Sequence, residues 1–163
     1  MKNVIAIWTS LDLRRRIIIV GATVAMFGHM GIEMDPRELT EAEQVSLKNA
    51  IALHKQYRSF IHNARLHRLD SDKLSINFGL VNAQQTLALF AYNSVVESGR
   101  TLPKRLRFVG LAADKNYRLK LIWPTILKEH TPSLISNINQ QLFSGAALMQ
   151  FGMQLPITLP QTS

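Results

Sequence analysis

Cysteine is missing from all 163 residues, which excludes disulfides and thiolate metal sites and permits a reducing compartment. Negative charge is sparse: 11 Asp and Glu stand against 19 Lys and Arg, for a formal charge of +8. That surplus would suit an anionic partner, yet no long basic tract exists. Arg14 to Arg16, Arg65 with Arg68, Lys104 with Arg105 and Arg107, and Arg118 with Lys120 are separate small groups. RNP aromatics, zinc-finger spacing and a recognition-helix turn are also missing, so no nucleic-acid partner is expected. Long hydrophobic runs are absent too. Residues 17–27, an apolar run of eleven behind three arginines, imitate a signal sequence or membrane anchor. A bilayer span needs about 20 apolar residues, and no small-residue cleavage pattern follows before Glu33 and Asp35. A buried helix is expected there, with no membrane role and a cytoplasmic location.

What is present is an ordinary globular balance, 47% apolar and 18% charged, enough for a core. Gly28 and Gly31 fit a helix that terminates where the backbone must turn, and Asp35-Pro36 breaks this first helical region. Thr40-Glu41-Ala42-Glu43 then forms a capping box. Leu47, Ala50, Ile51, His54, Tyr57 or Arg58, and Ile61 recur at helical spacing behind it, which predicts a helix to about Ala64.

Past residue 64 the period falls from near 3.6 to 2. Tyr117, Leu119, Leu121 and Trp123 alternate with more polar neighbours, as do Phe151, Met153, Leu155, Ile157 and Leu159, each set burying one face of a sheet. Further strands are expected at 74–81, 86–96 and 104–111, separated by turn-rich stretches at 70–73, 82–85, 98–103 and 114–116. Residues 144–149 fit a short helix or a strand. Short strands at regular spacing point to an antiparallel sandwich, because a parallel sheet needs crossover helices. The fold class expected is α+β, with helices over 1–64 and a β-sandwich domain over 65–163.

Several blocks of this sequence carry a more specific signal. They are Phe27-Gly28-His29-Met30-Gly31-Ile32-Glu33; Ala52-Leu53-His54-Lys55 with Arg58 and His62; Arg68-Leu69-Asp70; Leu89-Phe90-Ala91-Tyr92; and Ser144-Gly145-Ala146-Ala147-Leu148-Met149 with Gly152-Met153-Gln154-Leu155-Pro156. In this order they resemble the carboxyl-terminal end of bacterial α-galactosidases of glycoside hydrolase family thirty-six. The resemblance implies that residues 1–64 are the closing helical remnant of a catalytic (β/α)8 barrel and that 65–163 are the β-sandwich behind it. A whole barrel takes about 250 residues, so the chain reads as a fragment.

Activity in that family, by resemblance, is hydrolysis of terminal α-linked galactose with retention. Retention requires two carboxyl groups about 5 to 5.5 Å apart, one attacking the anomeric carbon and one exchanging a proton. The family's nucleophile follows a Lys-Trp dipeptide, and no Lys-Trp-Asp occurs here. Ile7-Trp8-Thr9-Ser10 resembles the segment carrying the proton donor, but Leu11 stands at the aspartate position, and Asp12 would substitute only with a shift of register. No catalytic residue is therefore assigned, and neither a cofactor nor a metal site. The partners implied are an α-galactoside in the complete enzyme and the remaining barrel; a homo-oligomer is compatible with the sequence.

The tempting residues have plainer readings. His29, at a helix end, is placed to meet a terminal carbonyl. His54, His62 and His67 lack the carboxylate or Cys spacing of a metal site. Tyr57, Phe60 and Phe90 are core candidates, and the alternation around Trp123 favours packing over sugar stacking. The alternative function is a non-catalytic carbohydrate-binding or scaffolding β-sandwich module with a membrane-associated N-terminal helix.

Overall fold

The computed structural model describes residues 2–9, 25–31, 35–71, 75–94, 105–123, 138 and 141–154. Residues 10–24, which hold Asp12 and most of the apolar run, lie outside them, as do 155–163.

The long helix forms where the capping box places it. In α1, Glu41–Asn63, the Thr40 hydroxyl accepts from the Glu43 N–H at 3.4 Å and the Glu43 carboxylate accepts from the Thr40 N–H at 2.8 Å. Two of the four N–H groups that a helix start leaves orphaned are thereby satisfied. Ala50, His54 and Ile61 are buried along one side, a spacing of four and seven that keeps them on one face. The helix ends at Ala64, whose backbone is already extended (φ −92°, ψ 155°), so the chain passes into a strand without a loop.

That strand is β2, Arg65–Arg68, and it begins an antiparallel set with β3, Ser75–Val81, and β4, Leu87–Ser94. The β3–β4 connection is built by Asn82. Its side-chain oxygen accepts from the N–H groups of Thr86 and Leu87 at 2.8 and 3.0 Å, while its amide donates to Thr86 Oγ1 at 2.8 Å. Gln85 takes the left-handed backbone that the turn needs (φ 52°). Further on, β5 spans Asn116–Trp123 and pairs antiparallel with β6, Leu142–Ser144.

The centre of the sheet departs from expectation. Lys2–Thr9 form β1, which lies between β4 and β5 and runs parallel to both. The six strands are ordered β2-β3-β4-β1-β5-β6: antiparallel towards both edges, parallel in the middle. A parallel neighbour needs a crossover, and the path from β1 to β4 supplies one through α1. The segment read as part of a helical remnant thus contributes a strand; Val4, Ile5, Ile7 and Thr9, rich in β-branching, were the signal for it.

Both faces of this sheet are covered. Ala88, Leu89, Phe90 and Ala91 of β4 each show 0% exposure, the near-continuous burial of a strand with layers on either side. Leu89 and Leu80 face α1, joining Met26, Ala50, Ile61 and Ile122. Ala88, Phe90 and Tyr92 face the other way, joining Leu106, Phe108, Leu111, Tyr117, Leu119 and Leu148, where the Phe90 and Phe108 rings meet edge to face at 4.9 Å.

The second cover is not the strand expected over 104–111, and of the strand expected from 151 onward only 151–154 lie among the described residues. Residues 105–112 instead cross the sheet as irregular chain joined to Met153 by one bridge, with Leu106 and Met153 exchanging N–H···O bonds of 2.9 Å. Residues 144–149 resolve as the end of β6 followed by a short helix α2, Gly145–Gln150, whose N-cap Ser144 accepts from the Ala147 N–H. Gly152 closes that helix with φ 63°, and a Cβ there would lie 2.4 Å from the Leu106 carbonyl oxygen. Phe151, expected to face inward, is 66% exposed, because it belongs to the helix end rather than to an alternating strand. Among the described residues there is one sheet, overlaid by helix, turn and bridge.

Candidate functional site

Where α1 meets the sheet, a helical turn closes: the Gly28 N–H donates to the Ala25 carbonyl at 3.1 Å, and Met26 is fully buried beneath it. The sequence leads one to expect His29 at the carbonyl left at this end. It is His54 whose Nε2 lies 3.0 Å from the Gly28 oxygen. The difference follows from burial, since His54 occupies the inward face of α1 while His29 is past the turn and exposed. His29 instead lies against His62, ring centroids 4.8 Å apart, with His54 6.4 Å from His62. Among the described residues no group of three or more His, Cys, Asp or Glu could hold a metal ion.

Beside this turn lies an open groove of about 1180 Å³. Phe27 and Gly28 form one wall; Leu66, Arg68 and Asp70, Ile76 and Phe78, and Arg105 with Arg107 bring β2, β3 and the crossing segment to it. Phe27 and Phe78 meet edge to face at 4.6 Å. Three guanidinium groups and one carboxylate line the groove, and that carboxylate is engaged: Arg107 Nε donates to Asp70 Oδ2 at 2.5 Å, which raises the Arg107 pKa through that hydrogen bond and the Asp70 charge. Both side chains are about half exposed, so solvent screens the pair and it adds little to stability. Its other function is to hold the crossing segment against the end of β2.

The polar floor is saturated. Asn77, buried, donates to the Asp70 carbonyl at 2.6 Å and to Ser75 Oγ at 3.1 Å, and its side-chain oxygen accepts from the Asn93 N–H at 3.3 Å. With a single acid on its lining, the groove offers no carboxylate pair for glycoside cleavage. Elsewhere Asp35 is held below the usual carboxylate range by its hydrogen bonds from Arg37, as an exposed local pair beside the short turn Pro36–Glu38. His67 is pushed down by burial and by nearby Arg65, and burial pushes the Tyr57 phenol up. Tyr57 and Phe60 pack against the α1-side core and Phe90 lies in the opposite one, as expected. Of the charges on β5, Lys120 is exposed, while Arg118 Nε is buried with no hydrogen-bond partner among the described residues. The groove itself was not legible, since β2 is only Arg-Leu-His-Arg and carries neither a strand nor a loop signature.

Among the described residues, a long helix lies on a mixed, largely antiparallel sheet beside a groove whose lining carries three arginines and one acid. Residues 77–162 match the glycosyl hydrolase family 36 C-terminal domain. The chain is 37% identical over 158 residues, 92% of its length, to an α-galactosidase of Escherichia coli, and 30% identical over 99 residues to α-galactosidase AgaA of Geobacillus stearothermophilus. Among solved structures, a substituted form of AgaA crystallised with 1-deoxygalactonojirimycin superposes on 85% of the chain with a TM-score of 0.66 and 27% identity, covering 17% of that protein. The α-galactosidase of Lactobacillus brevis, at 20% identity, shares the fold over 95% of the chain with a TM-score of 0.70, covering 20% of that protein. The chain therefore belongs to glycosyl hydrolase family 36, in its C-terminal region. It spans 22% of the length of the E. coli relative and 14% of AgaA.

Proposed function

We propose that these residues are the carboxyl-terminal part of an α-galactosidase that hydrolyses terminal α-linked galactose from oligosaccharides with retention, acting in the cytoplasm. In this reading the fragment is structural. Residues between β1 and β2 close the helical layer of the catalytic barrel, β1 and the chain from residue 65 onward form the sheet domain behind it, and both reacting carboxylates belong to the preceding part of the polypeptide. The observation that carries it is alignment with the E. coli α-galactosidase over 92% of the chain in a sequence without a Lys-Trp-Asp segment.

The chemistry supports the division of labour. A retaining glycosidase needs two acids about 5 to 5.5 Å apart on opposite sides of the scissile bond. The described acids are spread along the chain instead: Asp70 is engaged by Arg107, Asp35 by Arg37, and Glu43 by the Thr40 cap. What the chain offers the enzyme is a sheet covered on both faces and a long helix fixed to it, a support that would hold a barrel wall without touching sugar. The Arg118 nitrogen, buried with no acceptor among the described residues, fits a surface that is completed by further protein.

The test is activity by parts. The purified 163-residue protein is expected to release no nitrophenol from p-nitrophenyl α-galactoside, and mixing it with the E. coli α-galactosidase lacking its own aligned C-terminal region is expected to restore cleavage. Release by the isolated chain would overturn the assignment of the acids to another segment; absence of restoration, with both parts folded, would overturn the structural role.

A further inference from the structure

Among the described residues β2 forms one edge of the sheet, and its pairing fixes which backbone groups are left over. The Leu69 N–H donates to the Asn77 carbonyl at 3.1 Å, and in an antiparallel ladder such bonds recur at every second residue. Residues 65 and 67 therefore direct their backbone groups to β3, across from Val81 and Gly79. The N–H and C=O of Leu66 and Arg68 point off the sheet, and neither residue has a backbone partner on that side among the described residues. These same two residues line the groove.

Natural sheets blunt such edges, because an open row of donors and acceptors templates another strand. Among the described residues nothing pairs with this edge, and apolar surface borders it: Leu66 is 60% exposed and Ile76 54%. Around them Arg68, Arg105 and Arg107 outnumber the one acid. The edge thus presents backbone partners, apolar contacts and positive charge together.

We propose that the groove seats an extended, acidic and apolar segment of the polypeptide outside these 163 residues, which adds to the sheet beside β2. The proposal rests on the reading of the chain as part of a longer enzyme. Backbone bonds to Leu66 and Arg68 set the register, alternate side chains of the segment reach Leu66, Ile76 and Phe78, and its acids face the guanidinium groups, the mode of recognition known as strand addition. Charge selects the occupant. A second copy of this chain, itself at +8, would bring a second set of Arg65, Arg68, Arg105 and Arg107 towards the first, whereas an acidic strand neutralises them. Length supplies the source: the E. coli relative is more than four times longer than the stretch that this chain covers, at 22%.

The experiment uses the 163-residue protein and overlapping synthetic peptides of about ten residues, long enough for one strand. The peptides cover the part of the E. coli α-galactosidase outside the aligned region, with designed Glu-Val and Lys-Val alternating peptides as probes of the groove alone. Fluorescence anisotropy is expected to pick out an acidic–apolar peptide from the relative. Its affinity should fall about tenfold or more in Arg68→Glu and in Leu66→Glu, fall with added salt, and be lost on N-methylation of one alternating set of its amides but not the other. Unchanged melting of both variants keeps a binding loss from being an unfolding.

Failure of every relative-derived peptide, or binding indifferent to both variants, would overturn the proposal. So would binding of the designed Glu-Val peptide alone, which would make the occupant a foreign chain. The enclosing reading is judged separately by the mixing assay: restored cleavage with no peptide bound removes the groove and leaves that reading. Peptide binding without restored cleavage keeps the groove's occupant and removes the structural role.

Discussion

Tyr117→Phe isolates one buried oxygen. Tyr117 is fully buried on β5, where its hydroxyl donates to the Gln85 carbonyl at 3.0 Å and accepts from the Ala112 N–H at 2.8 Å. One atom thereby ties the β3–β4 turn to the segment that crosses the sheet. Phenylalanine keeps the ring and its packing but leaves a buried donor and a carbonyl without their partners. An unsatisfied buried group costs about 1 to 3 kcal/mol, and the Gln85 carbonyl is near enough to the surface for water to replace part of its loss, so about 2 kcal/mol is expected. For a chain of this size that corresponds to a fall in Tm of about 4 to 8 °C. Calorimetry measures the total, and amide exchange locates it: protection should fall at Ala112 and Lys115 but persist at Leu119. A variant with wild-type Tm and unchanged exchange at Ala112 would refute the reasoning, showing that this oxygen holds nothing together.

Three other outcomes follow from the same geometry. Thr40→Ala removes the reciprocal cap of α1 and is expected to cost about 1 kcal/mol, read as a lower Tm with fraying confined to the first turn by exchange. Gly152→Ala forces a side chain onto a left-handed backbone and into the Leu106 carbonyl, so a loss of about 1 to 3 kcal/mol is expected, seen as a lower denaturation midpoint in urea. His67 has a depressed pKa, so the unfolded chain takes up the proton first and stability falls as pH drops below about 6.5; His67→Gln should flatten that slope when urea midpoints are compared at pH 7.5 and 5.5, and an unchanged slope would discard the assignment.

The elements most legible in sequence are those whose own residues satisfy their own backbone. The capping box placed α1 within a residue or two because Thr40 and Glu43 complete it locally, and Asn82 marked the β3–β4 turn because its side chain supplies the turn's bonds. Alternation was a sound guide to burial on β5, where Tyr117 and Leu119 are enclosed. The turn-rich flanks misled at residues 104–111: Leu106 and Phe108 do point inward at 2% and 0% exposure, but among the described residues only Met153 supplies a ladder partner. Gly152 held the correction in plain view, as the left-handed glycine that ends a helix, whereas the alternating pattern counted it as a strand position. Among the described residues β1 depends on β4 and β5 for all its pairing, and no feature within eight residues discloses partners 84 and 115 or 116 positions away, a separation set by the fold. The groove failed to show for a related reason, being assembled from a helix turn, an edge strand and a crossing segment that meet only in space.

The absence of any loop between Asn63 and Arg65 has a mechanical consequence. At about 1.5 Å per residue, the 23-residue helix is a rod of about 34 Å, and its foot is welded through Ala64 to the outermost strand. A tilt imposed at the Thr40 tip cannot be absorbed by slack at the joint, so it must pass into β2 as a torque. Whatever braces that tip would thus tune the alignment of the sheet's rim from the far end of the molecule.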